Sequence, residues 1–198
     1  MPSIGTPTTP FSQSTLLKSG DPGVCCRLAY KWMACQAKPA SVKHLGGATF
    51  FDLSLNKTVE KQNCYLAEAD PYEKEDAITF RQGVNAVTDK WLNIWGAKHG
   101  LSFDALAGPK RCSEYFGNYP DRSVVIGIFG LTQSKGNWAH ATAYYTGSGG
   151  RKFFDANKGE WANLTLSGSE LGAALDDFHE YLKQPGETLD RFSFFALL

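Results

Sequence analysis

Ser-Val-Val-Ile-Gly-Ile-Phe-Gly-Leu at 123–131, Trp-Ala-His-Ala-Thr-Ala-Tyr-Tyr at 138–145 and Arg-Lys-Phe-Phe-Asp-Ala at 151–156 are three apolar runs rich in β-branched and aromatic residues. Each is bounded by turn residues, which is the pattern of buried strands. The Gly-rich stretch 146–150 is short enough to make the last two an antiparallel pair. A fourth run, Phe-Ser-Phe-Phe-Ala-Leu-Leu at 192–198, adds a C-terminal strand. Upstream the periodicity is helical. Val24, Cys25, Leu28, Ala29, Trp32 and Met33 form one stripe ending near Gln36, and Asp21-Pro22 offers an N-cap and a proline at the first helical position. A longer pattern carries Ile78, Phe80, Val84, Val87, Trp91, Leu92 and Trp95 from about Tyr72 to His99, with Gly100 as its end. A third helix over 168–183 precedes the last strand. Short segments at 47–53 and 58–67 suggest a strand and a helix. Helices first and an antiparallel sheet second make the fold class α+β.

The chain has 198 residues, enough for one domain with a substantial core. Residues 1–20, rich in Pro, Thr and Ser, are expected to be a flexible leader, and 21–198 the domain. Lys and Arg number 20 and Asp and Glu number 20. That balance leaves no cationic excess for a phosphate backbone, so nucleic acid is not an expected partner. No apolar run reaches membrane-spanning length, and the start lacks a Sec-type signal. The five cysteines have no Cys-x-x-Cys pairing, which speaks against a disulfide framework or a zinc cage. No metal or cofactor is expected.

The chemistry concentrates in three places. A thiol in the first turn of a helix, as Cys25 is, meets unpaired N–H groups and the positive end of the helix dipole, which favour thiolate. The same N–H groups suit an oxyanion. His140 shares a strand face with Trp138, Thr142 and Tyr144, and the hairpin brings it beside Asp155 on the next strand. A carboxylate there would fix the imidazole tautomer. Cys25-Cys26 leaves a register ambiguity, since one residue rotates a side chain by about a hundred degrees around a helix. His44, His99 and His179 have no ligand spacing and read as surface or satisfied histidines. The acidic stretch 68–76 reads as a solvated loop or as a rim that selects a basic peptide.

Gly23-Val24-Cys25, Leu28 and Trp32, then His140-Ala141, then Phe154-Asp-Ala-Asn-Lys-Gly-Glu160, resemble in order and spacing the YopT/AvrPphB-type cysteine proteases of the papain-like superfamily. The gaps are 140 − 25 = 115 and 155 − 140 = 15 residues. That resemblance implies a papain-like domain with Cys25 as nucleophile, His140 as general base and acid, and Asp155 as its orienter. It implies a bacterial effector or toxin, delivered by a non-Sec route such as type III or type VI secretion. Such an effector cleaves specific proteins in a target-cell cytosol, with self-cleavage in the leader. The expected state is a monomer, with a chaperone or immunity protein as a further partner. Asn157 and Gly159 are expected to make a tight turn. Trp161 would shield the His–Asp bond near the substrate or serve as a core aromatic. Papain-like enzymes carry a side-chain amide shortly before the nucleophile, yet residues 17–21 hold none. The second oxyanion donor is left to Ser19, to Gln13 folding back, or to the middle segment, beside the Cys25 N–H. The same triad would serve a glutamine deamidase or transglutaminase, and the fold without its chemistry would serve a binding module.

Overall fold

A computed structural model describes residues 3–15, 17, 23–38, 55–132, 136–183 and 185–198. The long apolar runs pair as expected. β3 (Val124–Thr132), β4 (Gly136–Gly147) and β5 (Gly150–Asp155) form consecutive antiparallel ladders, and β7 (Glu187–Leu197) lies along the other side of β3. Among the described residues the sheet has seven strands, because three short ones join it: β1 (Thr9–Pro10), β2 (Phe103–Leu106) and β6 (Gly159–Trp161). Its order is β1-β6-β5-β4-β3-β7-β2, antiparallel throughout.

Side chains alternate across this sheet and feed two cores. Val125, Phe129, Ala141, Ala143 and Phe154 meet α1 (Cys25–Ala37), α2 (Leu55–Ala69) and α3 (Ala77–Ala97) on one face. Ile126, Ile128, Tyr144, Phe153 and Phe194 meet α4 (Cys112–Asn118) and α5 (Gly168–Leu182) on the other. α3 begins later than its periodicity suggested. Asp76 caps it, accepting from the N–H groups of Ile78 and Thr79, and a 3-10 turn at Asp70–Lys74 fills the space before it. α1 begins at Cys25, with Val24 at the cap position and no side-chain cap of its own. The proposed cap Asp21-Pro22, His44, Ser19 and the segment 47–53 lie outside the described residues.

The N-terminal segment differs from the expected flexible leader. β1 pairs with β6, Phe11 and Gln13 donate their N–H groups to the carbonyls of Lys158 and Ala156, and Thr8 bonds the backbone of Glu160 and Ala162. Ile4 belongs to the second core. The segment is short of apolar side chains, but an edge strand is held by backbone bonds that composition does not register.

Candidate active site

The start of α1 is assembled from outside the helix. A helix leaves its first N–H groups without internal partners. Here Val24 N–H donates to Gln13 Oε1 at 2.8 Å, and Arg27 N–H donates to Gln62 Oε1 of α2 at 2.9 Å. This turn presents Cys25, half-buried, to a cavity of about 900 Å³ that His140 and Ala141 also line. Cys26 is 3% exposed and packed in the first core, where burial pushes its thiol up. Of the two neighbouring thiols, Cys25 is the more exposed and the one whose ionisation is favoured.

His140 and Asp155 come together diagonally across the β4–β5 ladder. Thr142 is the residue opposite Asp155, and His140 lies two residues further along the same face. His140 Nε2 is 2.7 Å from Asp155 Oδ2. The other carboxylate oxygen accepts the N–H of Asn157 at 2.7 Å, so both oxygens of a fully buried Asp155 are engaged. Cys25 and His140 line the same cavity, and each acts on the other's ionisation.

These contacts decide the charge states. Burial alone would push the Cys25 thiol up. The charge of His140, its hydrogen bond and the Ala141 backbone outweigh that, and the net position is below an ordinary thiol. Burial pushes His140 down, but the carboxylate of Asp155 and the Cys25 sulfur overcome it and hold the imidazole well above its usual value. Burial likewise opposes ionisation of Asp155, and His140 and the Asn157 N–H hold it below the usual carboxylate range. Both shifts favour a thiolate–imidazolium pair over the neutral one.

Cys25, His140 and Asp155 thus converge from three separate elements. The structure is similar to the crystal structure of the Pseudomonas avirulence protein AvrPphB, with a TM-score of 0.55 over 89% of this chain and 92% of that chain. The fold is shared. Sequence identity to AvrPphB is 12%, no family model matches the chain, and no curated protein matches it in sequence. The α+β architecture expected from the sequence is therefore one it shares with AvrPphB.

The motif residues around the three have structural work. Trp32 stacks on Phe154 with centroids 5.6 Å apart, and its indole N–H donates to Glu160 Oε2 at 2.5 Å, fastening α1 to β5 and β6. Asn157 and Gly159 flank the turn after Asp155, as expected, with only Gly159 at positive φ (127°). Trp161 is a core aromatic. It packs on Phe153 and Phe178 in the second core, and its indole N–H donates to the Gly5 carbonyl. His179 is the satisfied kind of histidine, 2% exposed with Nε2 lying 3.4 Å from Thr142 Oγ1. Sequence reading missed the apolar part of the cavity wall, Phe80, Val84 and Phe129, while Asp70, Glu73 and Lys74 of the charged stretch line the same cavity. Among the acidic residues of 68–76, Glu68 pairs with Lys90 and Asp76 caps α3. No group of three or more metal-ligating side chains occurs among the described residues, and no described helix is long and apolar enough to cross a membrane.

Proposed function

We propose that the chain is a papain-like cysteine endopeptidase that cleaves specific proteins in a target cell, with Cys25, His140 and Asp155 as its triad. The observation that carries this reading is His140 held by the buried Asp155 at 2.7 Å, with Cys25 and His140 lining one cavity large enough for peptide side chains. In the acylation step the Cys25 thiolate attacks the scissile carbonyl carbon, and the carbonyl π electrons move to oxygen. Gln13 and Gln62 take the N–H groups of Val24 and Arg27, so the oxyanion donors of that turn are the N–H groups of Cys25 and Cys26. The C–N bond then breaks, the leaving amine takes the imidazolium proton, and a thioester remains on Cys25. Neutral His140 next takes a proton from water as the water oxygen attacks the thioester carbon; the C–S bond breaks, the acyl group leaves as a carboxylic acid, and Cys25 thiolate and His140 imidazolium are restored with the proton kept on His140.

The apolar cavity carries Asp70 and Glu73 against Lys74, the one lysine or arginine lining it among the described residues, a balance that favours a substrate segment pairing an apolar residue with a basic one. Resemblance to the YopT/AvrPphB-type proteases and the shared fold with AvrPphB support delivery as a bacterial effector acting inside a host cell. The test is to incubate wild-type protein and Cys25→Ala with a target-cell lysate and label new amino termini. New termini that appear only with the wild type are expected. A substrate that stays unbroken but converts glutamine to glutamate would make the enzyme a deamidase, and a proteome identical with both proteins would overturn catalysis.

A further inference from the structure

We propose that Gln13 and Asn157 form a positioning clamp that fixes the distance between the start of α1 and the Asp155 carboxylate, so that the N-terminal segment is part of the catalytic unit. This rests on the triad assigned above. Gln13 is 8% exposed although it follows a polar, Ser- and Thr-rich stretch. Its backbone N–H donates to Ala156 O at 2.7 Å, which brings the side chain to the turn after β5. Its Oε1 accepts the Val24 N–H at 2.8 Å, one residue before Cys25. Its Nε2 donates to Asn157 Oδ1 at 2.8 Å. The N–H of Asn157 in turn donates to Asp155 Oδ1 at 2.7 Å, and Asp155 Oδ2 meets His140.

The bonds therefore form a continuous chain. It runs from Val24 through Gln13, Asn157 and Asp155 to His140. Trp32 ties the body of α1 to β5 and β6, whereas Gln13 ties the residue next to Cys25 to the turn that carries the Asp155 contact. A carboxamide suits the position because one side chain must accept from Val24 and donate to Asn157 at once. Buried bonds of this kind lock the rotamers of the groups they join, and catalysis is sensitive to small errors in that placement. Gln13 touches no reacting atom in this arrangement. It acts through the N–H of Asn157 on Asp155, and through the backbone of Val24 on Cys25.

The test uses full-length protein and iodoacetamide as the probe of Cys25, with alkylation of each cysteine followed by peptide mapping across the acid and neutral range. The variants are Gln13→Met, Asn157→Ala and the two combined. Both single changes leave the backbone bonds of Phe11, Gln13 and Asn157 in place, so the melting temperature should stay near that of the wild type. Each should slow Cys25 near pH 6 roughly tenfold, the equivalent of one net hydrogen bond. The acid limb of the Cys25 profile should move up, the exposed Cys64 should be unchanged, and the double variant should be no slower than either single one. A Gln13→Met that unfolds leaves the decision to Asn157→Ala. Profiles identical to wild type in both variants, or effects that multiply in the double variant, overturn the clamp. A wild type whose Cys25 is slow, or fast but indifferent to His140→Ala, overturns the triad and the clamp with it.

Discussion

Cys25 is poised by a contest that His140 wins, and removing one contestant reverses the outcome. Burial raises the thiol, and the imidazolium with its hydrogen bond lowers it further than burial raises it. The ultraviolet thiolate signal, taken as wild type minus Cys25→Ser, should therefore titrate with a midpoint below 9.0, the value of an ordinary thiol. In His140→Ala burial acts with far less opposition, and the midpoint should rise above that value. An unchanged midpoint in His140→Ala would mean that the helix start, not the imidazole, ionises the thiol. Activity should follow the same two groups, rising as Cys25 ionises and falling only where the strongly raised His140 loses its proton. These three residues were legible in the sequence because each carries a local signal: a cysteine at a helix start, a histidine on an alternating strand, an aspartate closing the next. Gln13 carried none. It lies 25 − 13 = 12 residues before Cys25, inside a stretch whose composition suggests no structure, and only the pairing of β1 with β6 brings it back.

That pairing depends on one backbone position in β6. Gly159 has φ 127°, and a Cβ there would stand 2.2 Å from the carbonyl oxygen of Thr9. No other residue fits without pushing β1 away. Gly159→Val should lower stability by about 1–3 kcal/mol. It should also expose residues 3–14 to protease before the rest of the chain and slow Cys25 alkylation, because Gln13 leaves with the strand. A resistant N-terminus in Gly159→Val would show that the segment is held elsewhere. The elements legible in the sequence are the long ones, α3, α5, β3, β4, β5 and β7, where periodicity has room to repeat. The two-residue β1, four-residue β2, three-residue β6 and seven-residue α4 were not. Their existence depends on partners far along the chain: Phe103 pairs with Leu197, Gly159 with Pro10, and the N–H groups of Cys112 and Ser113 donate to Asp176 of α5. α3 was placed too early for a related reason, since Asp76 was read as one acid in a charged run and not as a cap.

The sheet separates two cores, and the triad sits where they meet: Cys25 comes from the helical side, while Asp155 shares its face with Thr142 and is backed by α5. His179 is the ionisable group of that second core. It lies among the rings of Phe153, Phe178 and Phe192, 3.9 Å from the Cys112 sulfur at Nδ1. Burial pushes it down to about 3, against an ordinary 6.5. Between those values the unfolded chain binds a proton that the folded chain refuses, so the stability tied to His179 is complete above about pH 6.5 and is lost as pH falls. His140 and Asp155 do not act in the same window. The raised His140 contributes fully below 6.5 and loses its contribution only as pH rises through its folded value. The lowered Asp155 keeps its contribution until pH falls below 3.8 and on through its folded value. Urea unfolding of wild type and His179→Phe between pH 7 and pH 4.5 isolates the one group, since the remaining carboxylates contribute alike to both. The wild type should lose roughly 2–3 kcal/mol more than the variant over that range, at a slope difference approaching one proton. Parallel curves would mean that His179 is protonated inside the fold, and a cation there would face His140 across the Asp155 carboxylate and weaken the imidazolium on which Cys25 depends.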